Sequence, residues 1–279
     1  MMKIIRVFPR KTKATPNDED VRINCTPGLF DEASEVHVSV VFTWDLKRAE
    51  WLAKQWSSVA PVTVKIGGPA TGERGGDFVP GMYLKKGYVI TSRGCPNHCW
   101  FCSVPSREGN IRELPITEGW NVLDDNLLAC SDDHIRAVFS MLATQKHPIE
   151  FTGGLEAARL NKAYAHLLKQ LRIKQMFFAY DTPDDLEPLQ RAGRYLQEAG
   201  FAVHPRSHAL RCFVLCGYPT DSINDAEKRM KQTKRAGFTP MAMLWKDETG
   251  KQDREWRKFQ REWARPAIIY SRRSETWKP

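Results

Sequence analysis

Apolar positions along the chain fall into short runs and longer amphipathic stretches, and their periods distinguish strands from helices. Near the amino end, Lys3–Phe8, Val36–Thr43 and Val62–Ile66 read as strands. Between the last two, Leu46–Trp56 carries Ala49, Leu52 and Trp56 at helical spacing, giving this region a βαβ character. Gly67–Gly81 (GGPATGERGGDFVPG) is dense in glycine and proline and is expected to be a loop or linker. Beyond it, strands are expected at Tyr88–Thr91, Trp120–Leu123, Ile149–Thr152, Met176–Tyr180, Leu210–Leu215 and Met241–Trp245. Helical patterns separate most of them, through Ile135–Leu142, up to Leu171, over Leu186–Ala199 and over Ala226–Ala236. Between Cys102 and Trp120 there is little room for a helix, so the first unit is expected to be abbreviated.

Strands alternating with helices predict an α/β fold with a parallel sheet, because parallel neighbours need crossover connections. The count fits an open or partial (βα)6-type barrel better than a complete one. The expected organisation is a small N-terminal α/β region over 1–87, the partial barrel over 88–245, and a helical basic tail over 246–279. In the tail, Trp256, Phe259 and Trp263 share one helical face among Arg and Lys residues. That stripe is read as docking on the body of the fold. Stacking on nucleic-acid bases is the other use such a stripe has.

Composition narrows the class. Hydrophobic residues make up 42% and charged residues 27% of the 279, which excludes a mostly disordered chain, a collagen-like repeat and a coiled coil. No apolar stretch approaches the ~20 residues of a membrane span. The start, MMKIIRVFPRKTK, lacks a signal-peptide core, so a cytoplasmic protein without a membrane partner is expected. The formal charge is +9, and +6 of it lies between Asp221 and Pro279. Such an excess suits a solvated helix surface, or a nucleotide, nucleic-acid or phosphorylated partner.

Seven cysteines without an export signal do not suggest a disulfide framework. Cys95, Cys99 and Cys102 crowd into TSRGCPNHCWFCSVP at the end of an expected strand, while Cys25, Cys130, Cys212 and Cys216 are scattered. Three thiolates on a tight loop suit three corners of a 4Fe–4S cubane, leaving one iron open to a ligand. A zinc site would need His98 or a distant thiol as its fourth ligand, and no second Cys-x2-Cys knuckle is present. Cys212 and Cys216 share a face of one expected strand and read as core thiols. A second cluster with Cys130 is the alternative.

The spacing Cys95-x3-Cys99-x-Phe101-Cys102 resembles the signature of the radical S-adenosylmethionine (SAM) superfamily, over about residues 88–245. The resemblance implies that Cys95, Cys99 and Cys102 hold a 4Fe–4S cluster, with SAM chelating the open iron and Phe101 near the adenine. It also implies a flavodoxin- or ferredoxin-like one-electron reductant, and reductive cleavage of SAM to a 5′-deoxyadenosyl radical that abstracts hydrogen from a substrate. By the same resemblance, Asp124 and Asp125 would meet the SAM amine, although the family's usual Gly-Gly-Glu is absent. Either carboxylate would serve equally well as the cap of the next helix.

Gly153 and Gly154 would let the backbone approach a ligand. Glu156 and Arg159 follow, with Arg159 a candidate for the SAM carboxylate; a surface i,i+3 pair is the alternative. Asp181 stands where the family places a ribose-binding side chain, or it caps a helix before Pro183. Gly217 resembles the glycine whose backbone contacts adenine. The front region, through Ile66–Gly67–Gly68–Pro69, resembles a shortened, degenerate cobalamin-binding domain, but its Asp-x-His-x-x-Gly motif is absent and no cobalamin is expected. The other function readings are radical methyl or methylthio transfer and a zinc-stabilised nucleic-acid-binding protein with Trp256 and Trp263 stacking on bases.

Overall fold

Two sets of parallel strands organise the chain, as the alternation of strand and helix patterns implies. The computed structural model describes residues 3–58, 62–202, 208–247 and 249–271, so the last eight residues of the expected tail, and residue 248, lie outside the described residues. The chain divides into two units, Met1–Thr117 and Glu118–Pro279, a boundary later than the one expected at residue 87. The cysteine motif therefore belongs to the first unit.

In that unit, strands β1 (Ile4–Phe8), β2 (Val21–Ile23), β3 (Glu35–Ser39) and β4 (Thr63–Gly67) pair in parallel in the order β2-β1-β3-β4. Helix α1 (Leu46–Ser57) crosses from β3 to β4. Side chains alternate across a strand. Ile5, Val7, Val36 and Val38 form one core with Ala49, Leu52, Ala53 and Trp56 of α1.

The other face is polar. Arg6, His37 and Lys65 lie opposite one another across β1, β3 and β4. His37 Nε2 bonds Glu35 at 2.8 Å, and Lys65 Nζ donates to the same carboxylate at 3.0 Å. The end of the glycine-rich stretch and the residues just after it lie on this face. Arg6 Nη1 donates to the carbonyls of Gly81 (3.1 Å) and Met82 (2.9 Å), and the Tyr83 hydroxyl bonds His37 Nδ1 at 2.7 Å. The expected linker is thus an irregular strap fixed by side chains far from it in sequence.

After β5 (Tyr88–Val89), strands β6 (Ser92–Arg93) and β7 (Arg112–Glu113) pair antiparallel around the cysteine motif. Only the short helix α2 (Val104–Glu108) follows the cysteines, as the abbreviated first unit requires.

The second unit contains β8 (Asn121–Val122), α3 (Asp132–Ala143), β9 (Ile149–Leu155), α4 (Lys162–Gln170), β10 (Ile173–Tyr180), α5 (Leu186–Glu198), β11 (Leu210–Cys216), α6 (Ile223–Arg235) and β12 (Thr239–Leu244). Its five strands are parallel and their spatial order follows chain order. Right-handed crossovers that always step the same way keep their helices on one face. Accordingly α3 packs on α4, α4 on α5 and α5 on α6.

Helix α7 (Arg254–Trp263) packs against β12 and α8 (Pro266–Ser271) packs on α7. Phe259 and Trp263 are buried, so within the described residues the aromatic stripe is a docking face. No helix among the described residues is long and apolar enough to cross a membrane.

Candidate functional site

The three clustered cysteines lie on a loop whose neck is closed by the β6–β7 pair. Gly94 opens the loop with φ +88°, and a Cβ there would stand 2.3 Å from the Asn110 carbonyl oxygen. Only glycine permits that approach. Cys95 N–H then donates to the Gly109 carbonyl at 3.1 Å, tying both ends of the loop together. Inside it, Cys102 N–H donates to the Cys99 carbonyl at 3.0 Å, and Val104 N–H points at Cys102 Sγ, 3.5 Å away. Cys99 is exposed, and Cys95 and Cys102 are half-buried. Phe101 is half-buried and meets exposed Trp100 edge-on, with ring centroids 5.4 Å apart.

Glu108, at the end of α2, has a side chain only 1% exposed. Arg107 Nε donates to it at 3.0 Å, Arg112 and Arg93 reach it at 3.6 and 3.9 Å, and Gly75 N–H donates to it at 3.1 Å. Arg93 and Arg112 also donate to the carbonyls of Gly76 (3.1 Å) and Gly75 (2.6 Å). The glycine-rich strap is thereby fastened to the cysteine loop as well as to the sheet.

The donor chemistry of this loop fits a cluster with three protein ligands. The thiols are on one segment, are reachable from solvent at Cys99, and have a backbone N–H aimed at one sulfur. A single zinc ion draws its sulfur donors to about 2.3 Å from one point. No three His, Cys, Asp or Glu side chains among the described residues are gathered that way. A cubane differs, since each thiolate binds its own iron and the sulfurs stand apart.

In the second unit the remaining candidate residues lie at or just beyond the carboxyl ends of β8 to β11, where parallel α/β folds carry their ligands. Asp124 is buried and Asp125 half-buried. Neither caps the following helix, because Ser131 does so by accepting from His134 N–H. Gly153 is held against this segment: a Cβ there would meet the Asp124 carbonyl oxygen at 2.2 Å. Gly154, with φ +103°, has no atom within 4 Å of its Cβ position, so its backbone faces open space.

Glu156 accepts from Asn126 Nδ2 at 2.6 Å and from Arg159 Nε at 2.7 Å. The i,i+3 pair is therefore real, and Asn126 extends it to the end of β8. Asp181 does not cap a helix either. Thr182 does so, in a reciprocal capping box with Asp185. The half-buried Asp181 carboxylate instead accepts from Leu215 N–H on β11 at 3.0 Å. Burial, reinforced by nearby Asp185, pushes its carboxyl up to about 7.

Gly217 has φ +74° and lies under Leu244 and Trp256, 2.5 and 3.1 Å from where a Cβ would stand, so packing accounts for this glycine. Its N–H donates to Asp221, whose carboxylate also pairs with buried Arg229 at 2.7 Å. Cys212 and Cys216 are buried core thiols, and burial raises both above the ordinary thiol range.

Sequence reasoning missed Glu108 and Arg229, and gave Asn126 only as part of the segment that ends the strand before it. Only Glu108 left a signal, as a single carboxylate between Arg107 and Arg112 in a basic stretch. Compared with models of protein families and with curated proteins, the chain matches none.

Proposed function

We propose that the chain is a radical SAM enzyme, in which Cys95, Cys99 and Cys102 hold a 4Fe–4S cluster. The observation that carries this reading is three thiols on one pinched loop, the middle one exposed. The strand order of the second unit, which follows chain order and keeps the helices to one face, supports a partial (βα)6-type barrel as the frame.

When bound, the cluster supplies the electron, drawn from a flavodoxin- or ferredoxin-like reductant, that splits SAM into methionine and a 5′-deoxyadenosyl radical for hydrogen abstraction. The chain's own part is to bind and orient. Asp124 and Asp125 offer carboxylates to the SAM ammonium, and Arg159, steadied by Glu156, offers its guanidinium to the SAM carboxylate. Asp181 accepts from a ribose hydroxyl, Phe101 lies along the adenine, and the open backbone at Gly154 leaves room for the ligand. Gly217 contributes the turn that ends β11. The positive excess between Asp221 and Pro279 supports an anionic substrate, a nucleotide or nucleic acid.

Anaerobic reconstitution tests the reading. The chain should take up about four irons with matching sulfide, and release 5′-deoxyadenosine from SAM when dithionite is added. Stoichiometric zinc, with neither iron–sulfur absorption nor SAM cleavage, would overturn it. Asp125→Ala and Arg159→Ala should weaken SAM binding while iron content stays near that of the parent chain. Unchanged affinity in both would remove these residues from the SAM site.

A further inference from the structure

Strand β11 turns alternate side chains to opposite faces of the second unit's sheet. Cys212 lies beside Thr233 of α6, and the Tyr180 hydroxyl of β10 donates to Gln232 of the same helix at 2.9 Å, so these residues mark the helix-bearing face. Arg211 and Phe213 point the other way. Phe177 of β10 stands opposite Arg211 in the register, and Met241 of β12 opposite Phe213. The Phe177 and Phe213 rings stack with centroids 4.3 Å apart, and the Arg211 guanidinium lies over the Phe177 ring at 4.8 Å. For a half-buried cation its bonding is poor. Nη2 meets the Met241 thioether sulfur at 3.7 Å, and Nε is buried with no hydrogen-bond partner. Among the described residues no carboxylate pairs with Arg211, and burial lowers its pKa. The Glu150 carboxylate on β9 is taken up by Lys174 and Gln175. Tyr270 of α8 is the titratable neighbour, but its hydroxyl bonds Thr239 at 2.7 Å and burial raises its phenol above the ordinary range, so it stays neutral. A charge withdrawn from water is costly unless it is paired. The counter-charge for Arg211 is therefore one that a ligand brings.

We propose that Arg211 holds the anionic group of the substrate, a carboxylate or phosphate monoester on an organic body that packs against Phe213 and Met241. A guanidinium is a planar fork, and the ring beneath it keeps that fork flat for an acceptor with two oxygens. The walls are aromatic rings and a thioether, which favour an organic anion over a hydrated inorganic one. Arg211 comes four residues before Leu215, about 13 Å along the strand. Leu215 N–H is the group bonded to Asp181, at the carboxyl end of the sheet. The substrate is accordingly elongated, with its anionic end remote from the end that meets the SAM-derived radical. The role as a substrate contact rests on the radical SAM reading given above, whereas the anion site rests on the surroundings of Arg211 alone.

The experiment compares the reconstituted parent chain with Arg211→Met and Arg211→Gln in urea titrations at constant ionic strength. Phenyl phosphate, benzoate or inorganic phosphate is added, and the shift in midpoint with concentration gives the affinity for each. Phenyl phosphate or benzoate should raise the parent midpoint, the larger shift distinguishing a phosphate from a carboxylate. Both variants should bind that anion at least about tenfold more weakly, and inorganic phosphate should shift the parent less. If R211M does not fold, R211Q decides. No shift in the parent, equal shifts in parent and variants, or a shift by inorganic phosphate as large as those of the organic anions overturns the inference. Iron and sulfide per chain are read on the same preparations. An Arg211-dependent response without an iron–sulfur centre supports the anion site and overturns the radical SAM reading alone, and a centre without the response does the reverse.

Discussion

Glu108 in the first unit and Asp181 in the second are carboxylates drawn into protein at opposite kinds of place. Glu108 ends the short helix α2 beside the cysteine loop and is met by Arg93, Arg107, Arg112 and the Gly75 N–H. Asp181 lies at the end of a sheet strand, accepts from the Leu215 N–H, and has the acidic Asp185 for a neighbour. The sheets differ in the same sense. The first unit reverses its strand order at β1 and covers its polar face with an irregular strap. The second steps one way from β8 to β12. The contrast separates two uses of a buried charge. Where a loop must be shaped without a regular element beneath it, ion pairing does the shaping. Where a sheet already fixes the backbone, a carboxylate can be left with capacity to accept further bonds.

The largest expected effect sharpens that contrast through pH. The Asp181 carboxyl titrates near 7 in the folded chain against an ordinary 3.8. The folded state therefore keeps a proton that the unfolded state releases between those values. Its contribution to stability is complete below pH 3.8 and is lost as pH rises towards about 7. Asp181→Asn, which still accepts from Leu215, should remove this decline. The stability lost by the parent chain from about pH 4 to about pH 8 should exceed the variant's loss by at most about 4 kcal/mol in urea titrations. Identical pH profiles would mean that Asp181 is as solvated as an ordinary carboxylate.

Next in size come two glycines, one from each unit. Gly94→Ala and Gly153→Ala both drive a methyl group into a carbonyl oxygen, at 2.3 and 2.2 Å. Each should cost about 3 kcal/mol, read by chemical denaturation. Gly94 alone adds a positive φ, and its variant should also lower cluster loading, because it sits at the neck of the loop. A Gly94→Ala chain with normal stability would show that the neck is not the rigid element. The smallest effect concerns the strap. Tyr83→Phe removes the bond to His37 and should cost about 1 kcal/mol or less. It should speed amide exchange in the strap while leaving the exchange of β9 to β12 unchanged.

Much of this was legible in the sequence where backbone and side-chain periods agree. Strands β9 to β12 and helices α5 and α6 follow from apolar runs and amphipathic spacing. Strand β2 was not, since Val21–Ile23 is three residues long and pairs only with β1. The helix expected soon after Gly154 starts only at Lys162, because a short turn at Ala157–Arg159 intervenes and Asn161 supplies the cap. The capping alternatives for Asp125 and Asp181 failed for a related reason, namely that Ser131 and Thr182 stand nearer the helices and take the role. The strap left no periodic trace. Its partners, such as Arg6 for Gly81, are remote along the chain and bind carbonyl groups that every residue possesses.

The neck at Gly94 and Asn110 holds its form without any bound group. Because backbone contacts and the β6–β7 pair close this loop, most of the entropy of bringing its ends together is spent before any inorganic atom arrives. If the loop holds the proposed cluster, oxygen damage that strips it should leave an intact receptacle, and repair would be a matter of resupplying iron and sulfide to a mouth that has kept its form.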